Sequence, residues 1–176
     1  STGEVKAIVG GRGDKTASKT LNRATDTTRQ PGSTFKILAA YSAALDAGGL
    51  TLASVQDDAP YTYAGANGKS VNNYDRRYRG FTTLREAITD SINIVTVKTL
   101  AQAGVSLGWQ YVQEYGFTTV DSRDMNEALA LGGITQGVSN LELTAAYAAI
   151  ANQGTYIKPK FYTKILDHDG NVLIDK

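Results

Sequence analysis

The sequence predicts an α/β fold in which one early strand leads into a helical block and strands return at the end. Three observations carry this reading. Residues 4–9 alternate polar and apolar, as a half-buried strand does. A long stretch after Pro31-Gly32 is apolar on most sides, as a buried helix is. Two strand-like runs near the end flank the turn residues 167–170. At 176 residues the chain suffices for one domain with a real core and is short for two.

The first strand ends at Gly10-Gly11, a turn signal. Residues 11–30 are polar and rich in Thr, Arg and Asp, which predicts a loop. Pro31-Gly32 then opens a helix that carries Phe35, Leu38, Ala39 and Ser42 on one face and Ile37, Ala40, Tyr41 and Ala44 on another. It stops at Gly48-Gly49. Residues 57–80 cluster Gly, Asn, Asp and Tyr and read as a second loop. Helices are predicted over 82–89, from Ser91-Ile92-Asn93 to Gln102, and over 107–115, the last two ended by Gly104 and Gly116. A further helix covers 140–151, with Ser139 or Asn140 as its N-cap, and Gly154 ends it. Residues 155–166 and 171–174 complete the picture as a hairpin.

Composition excludes several chemistries. With 41% apolar and 20% charged residues the chain is an ordinary globular one, and a net charge of +1 provides no field for nucleic acid. No nucleic-acid partner is therefore expected; Arg76, Arg77 and Arg79 read as a surface loop. The absence of cysteine removes disulfides, thiolate catalysis and zinc–sulfur sites. The one histidine, His168, lies in the turn Asp167-His168-Asp169-Gly170, which argues against a Ser-His-Asp triad and against a metal centre. No run of about 18 apolar residues is present to span a bilayer. Arg12-Gly13-Asp14 is a tripeptide that integrins read, but Gly-Arg-Gly-Asp also makes an ordinary turn.

Nucleophilic chemistry remains. Ser33-Thr34-Phe35-Lys36 opens the apolar helix, and residues three apart share a helical face, so the Lys36 amine can reach the Ser33 hydroxyl. Burial disfavours the ammonium form, and a neutral lysine could take the serine proton. The helix N-terminus adds oriented N–H groups where an oxyanion would form. Such a serine also needs a proton relay to the leaving group and an amide to orient substrate. A Ser and an Asn two residues apart could provide both, and two pairs occur: Ser70 with Asn72, and Ser91 with Asn93. The first lies in a polar loop, the second between two helices, where side chains are better fixed; Ser91 and Asn93 are preferred.

Gln30-Pro31-Gly32-Ser33-Thr34-Phe35-Lys36, followed by Ser91-Ile92-Asn93, resembles the first two motifs of the penicillin-binding proteins and serine β-lactamases. Residues 2–11, Asn22-Arg23-Ala24, Asn73-Tyr74-Asp75, Leu84-Arg85-Glu86-Ala87 and residues 137–143 resemble class A, bifunctional penicillin-binding proteins, so the likeness runs along nearly the whole chain. It implies a penicillin-binding transpeptidase/serine β-lactamase-like fold, an antiparallel sheet flanked by helices with a helical subdomain. It also implies a D,D-transpeptidase at the extracytoplasmic face of the bacterial membrane. Ser33 would attack a peptidoglycan stem peptide ending in D-Ala-D-Ala, Lys36 act as base, Ser91 relay the proton, and Asn93 bind substrate and Lys36. β-Lactams would acylate the same serine, and no cofactor or metal is implied. The family's third motif, Lys-Thr-Gly or Lys-Ser-Gly, is absent. Lys158-Pro159-Lys160 is no substitute, since proline lacks the N–H. Residues 1–176 are accordingly expected to be the N-terminal part of the domain, completed by a second chain or a C-terminal fragment. The family's glycosyltransferase domain and membrane anchor are not expected within residues 1–176, and Ile37 and Asn140 stand where the family often has Pro. A β-lactamase of the same fold would need a deacylating glutamate in a Glu-x-x-x-Asn loop. Glu127 is placed for this, but position 131 is Leu. A non-catalytic penicillin-binding scaffold is a further alternative, which the intact set Ser33, Lys36, Ser91 and Asn93 opposes.

Overall fold

The computed structural model describes residues 2–64 and 68–175. Its centre is a helical block. The helix predicted after Pro31-Gly32 is present but composite. It begins as a 3-10 turn, Gly32–Thr34, passes through a π-helical stretch, Ile37–Tyr41, and ends as α1, Ser42–Asp46. The widening shows in the hydrogen bonds of Ser42. The Ser42 hydroxyl donates to the Leu38 carbonyl at 2.7 Å, and the Ser42 N–H donates one residue further back, to Ile37 O.

Around this helix pack α2 (Leu84–Thr89), α3 (Asn93–Ala103), α4 (Val105–Glu114) and α5 (Asn140–Ala151). Two of the starts carry reciprocal caps. Thr83 and Glu86 form a reciprocal capping box on α2, and Ser139 and Glu142 form another on α5. Ser139 is thus the N-cap, and α5 has the predicted limits. The main core joins Phe35, Leu38, Ile94, Val97, Leu100, Val112, Leu129 and Ile134, with the Phe35 and Phe117 rings edge to face at 5.1 Å. A second cluster, Tyr41, Leu84, Ala87, Ile92 and Val95, locks α2 and α3 to the first helix.

The strands form four small antiparallel pairs among the described residues. These are β1 (Thr28–Arg29) with β6 (Val138–Ser139), β2 (Val55–Asp58) with β5 (Gly80–Thr83), β3 (Tyr61–Thr62) with β4 (Ser70–Val71), and β7 (Lys164–Leu166) with β8 (Val172–Asp175). The last pair is the predicted hairpin around Asp167–Gly170, although its first strand covers only the end of 155–166. The early strand over 4–9 is not formed. Glu4 alone makes a parallel bridge, to Lys160, where the Val5 N–H donates to Lys160 O at 3.0 Å. The alternating pattern has no continuous partner strand, so Val9 stays 80% exposed.

Candidate active site

Four side chains were expected to converge, and the structure brings three of them into direct contact. Lys36, 3% exposed, lies one turn beyond Ser33. Its Nζ donates to the Ser91 carbonyl at 2.6 Å, to the Ser91 hydroxyl at 2.9 Å and to Asn93 Oδ1 at 2.6 Å. Those three acceptors match the three donors of an ammonium. Burial acts against the charge and pushes the Lys36 pKa down to about 8. Ser33 is solvent-exposed on the 3-10 turn, and no hydrogen bond joins it to Lys36. The lysine therefore rests on Ser91 and Asn93, with the serine open to an incoming molecule.

The turn that carries Ser33 is clamped from three sides. Gln30 Oε1 accepts from the Ile134 N–H at 3.0 Å, and Gln30 Nε2 donates back to the Ile134 carbonyl. Gly132, at φ +73°, lies so close behind Gly32 that a Cβ there would stand 2.7 Å from Gly32 N and O. From α5, the Tyr147 hydroxyl donates to Thr34 O at 2.5 Å. The Ser91 turn is shaped as unusually: Ser91 has φ +54°, a left-handed conformation uncommon outside glycine. It turns the Ser91 carbonyl and hydroxyl to the same ammonium.

The rival pair does not reach the lysine through its side chains. Ser70 is exposed in β4, and Asn72 contributes its carbonyl, which accepts from Asn93 Nδ2 at 2.7 Å. Sequence reasoning missed two buried polar residues behind Asn93, namely Asp58 and Asn73. Only one signal could have found Asn73, its place beside Asn72 in the loop that resembles the family. Glu127 is occupied elsewhere. Its oxygens accept from the Tyr61 hydroxyl at 2.8 Å and the Ala64 N–H at 2.9 Å, while burial and the neighbouring carboxylate push the Tyr61 pKa up to about 12. His168 projects from its turn at 90% side-chain exposure beside Asp169. No group of three or more His, Asp or Glu side chains among the described residues converges as a metal cradle. A concavity of about 590 Å³ between residues 2–9 and α5 includes none of the four candidate residues in its lining. No helix among the described residues is long and apolar enough to cross a membrane.

Comparison with known proteins gives a consistent set of relatives. The model of the penicillin binding protein transpeptidase domain matches residues 1–176. Penicillin-binding protein 1F of Bacillus subtilis is 43% identical over 174 residues, covering 99% of this chain and 23% of that protein. The crystal structure of penicillin-binding protein 1A from Haemophilus influenzae matches with a TM-score of 0.75 at 34% identity, over 89% of this chain and 23% of the other. Penicillin-binding protein A from Mycobacterium tuberculosis, solved as a penicillin G acyl-enzyme complex, shares the fold with a TM-score of 0.75 at 23% identity, over 93% of this chain and 41% of the other. The chain spans 22–23% of the length of the first curated relatives it matches.

Proposed function

Because the chain belongs to the penicillin-binding-protein transpeptidase family, we propose that it carries the acyl-accepting half of a D,D-transpeptidase site, with Ser33 as nucleophile and Lys36 as its base. The observation that supports this most is the Lys36 ammonium, buried one turn from an exposed serine and ringed by Ser91 and Asn93. A lysine held so, with its pKa drawn down to about 8, is within reach of its neutral form near physiological pH.

Neutral Lys36 takes the Ser33 proton as Oγ bonds to the carbonyl carbon between the terminal D-alanines of a stem peptide. The C–N bond then breaks, and Ser91 passes a proton from Lys36 to the departing D-alanine amine. Asn93 holds Lys36 through Oδ1. An amine of a second stem peptide attacks the Ser33 ester, the C–O bond breaks, and Ser33 regains its proton. A β-lactam enters the same way, but its ring-opened leaving group stays tethered and the ester persists. The penicillin G acyl-enzyme of the M. tuberculosis relative favours this susceptibility. The Lys-Thr-Gly or Lys-Ser-Gly strand that the family uses is absent from the sequence, so a C-terminal segment or second chain completes the site in this reading. The domain works on the extracytoplasmic side, where peptidoglycan lies.

Intact mass with and without benzylpenicillin tests the assignment. One penicillin adduct is expected, mapped to Ser33, lost in Ser33→Ala and nearly unchanged in Ser70→Ala. Comparable labelling of Ser33→Ala would sink it.

A further inference from the structure

The helix that presents Asn93 lacks a cap of its own. Ile92 stands at the N-cap of α3 and contributes no side-chain hydrogen bond, although the first N–H groups of a helix need acceptors. Asn73, 20 residues upstream and 4% exposed, meets that need. Its Oδ1 accepts from the N–H of Asn93 at 3.0 Å and of Ile94 at 3.2 Å. Its Nδ2 is equally committed, donating to Asp58 Oδ1 at 2.8 Å, to Asp58 Oδ2 at 3.0 Å and to Arg77 O at 2.8 Å. Asp58 is fully buried and also accepts from the Arg79 N–H at 3.0 Å, with the Arg79 guanidinium 3.7 Å away. The preceding carbonyl, of Asn72, accepts from Asn93 Nδ2 at 2.7 Å.

The pattern is a chain of fixed directions. Asp58 accepts only, so the Asn73 amide must turn its NH2 towards it and its oxygen towards α3. That orientation holds the Asn93 backbone, while Asn72 O takes the Asn93 NH2. Asn93 Oδ1 is then left facing Lys36 Nζ. We propose that Asn73, oriented by Asp58, is a positioning residue that fixes the Asn93 amide and through it the Lys36 amine. The proposal rests on the reading of Lys36 as the base, but its geometric content can be tested apart from it.

Two measurements on the full-length protein separate the two. Competitive acetylation with acetic anhydride, mapped by mass spectrometry, reads the accessibility of the Lys36 amine without any need for activity. The Lys36 amine is expected to react roughly tenfold faster in Asn73→Ala, because one bond in its cage is no longer aimed. Val112→Ala, a core cavity far along α4, lowers the thermal midpoint and should leave Lys36 reactivity per folded molecule unchanged. The rate of benzylpenicillin acylation is the second readout. It should fall at least tenfold in Asn73→Ala and in Asn73→Asp, which sets two carboxylates face to face. The exchange Asp58→Asn with Asn73→Asp restores one donor and one carboxylate, and should recover most of the rate. Wild-type Lys36 reactivity in Asn73→Ala overturns the proposal, whether or not the protein binds penicillin. Equal acylation by all variants, with wild-type labelling at Ser33 intact, also overturns it and leaves the transpeptidase reading standing. An unlabelled wild type with altered Lys36 reactivity in Asn73→Ala would fail that reading and retain the positioning role.

Discussion

Lys36 and Asn93, 57 positions apart in the chain, meet at 2.6 Å between Nζ and Oδ1. This contact joins the helix that carries the candidate nucleophile to the start of α3, and it gives the lysine a titration that can be followed. Burial lowers the Lys36 pKa from 10.5 to about 8. If Lys36 is the base, acylation of Ser33 should rise with pH through about 8 and level off above it, measured as the rate of benzylpenicillin labelling. The same shift links to stability. Between about 8 and 10.5 the unfolded chain binds the Lys36 proton more than the folded one does. Stability from this group is therefore lowest below 8 and recovers as pH rises towards 10.5. Denaturant melts of wild type and Lys36→Met across that range isolate the effect; parallel pH profiles would contradict it.

Gly132 supports the Gly32–Thr34 turn by having no side chain. Alanine there would combine a φ of +73° with a Cβ 2.7 Å from the Gly32 backbone. Gly132→Ala is expected to lose about 2–4 kcal/mol of stability and, because the Gly32–Thr34 turn must shift, to slow penicillin labelling in molecules that remain folded. Unchanged labelling would show that the turn tolerates displacement.

Glu127 is the residue on which the transpeptidase and β-lactamase readings part. With its oxygens held by Tyr61 and Ala64, it is a bracket for the β3 region in this structure. Glu127→Gln can keep both contacts, Oε1 accepting from the Ala64 N–H and Nε2 donating to the Tyr61 hydroxyl, so it should cost about 1 kcal/mol or less and leave the lifetime of the penicillin adduct unchanged by intact mass over time. A much longer-lived adduct in the variant would instead identify Glu127 as the residue that activates the hydrolytic water.

Local signals were legible. The limits of α5 follow from Ser139 and Gly154, and the pairing of Ser33 with Lys36 and of Ser91 with Asn93 follows from spacing and context. The structure sets Lys36 against Ser91 and Asn93, a contact the resemblance implied for Asn93, and not against the Ser33 hydroxyl that the three-residue spacing pointed to. What escaped depends on partners distant in sequence. Residues 4–9 alternate like a strand, but a strand exists only through its neighbour, and Lys160 pairs with Glu4 alone. The π-helical stretch Ile37–Tyr41 has no signature in its residue types, since the hydroxyl-to-carbonyl bond of Ser42 recurs at Thr96 and Thr99 in the regular helix α3. Asp58 and Asn73 look like loop polarity until the fold buries them and directs their bonds to α3.

The left-handed backbone at Ser91 also has an evolutionary consequence. Of the three anchors of Lys36, one is the Ser91 main-chain carbonyl, which no substitution can delete. A codon change at 91 that keeps φ near +54° can therefore remove the hydroxyl and leave the lysine moored to two acceptors, so the proposed relay and the mooring are separable by mutation. The same φ narrows the inheritable alternatives. Glycine, asparagine and aspartate enter this conformation most readily, whereas valine and isoleucine strain it. Drift at this position is thus channelled towards a few small residues, each of which preserves the mooring and forgoes the proposed serine relay.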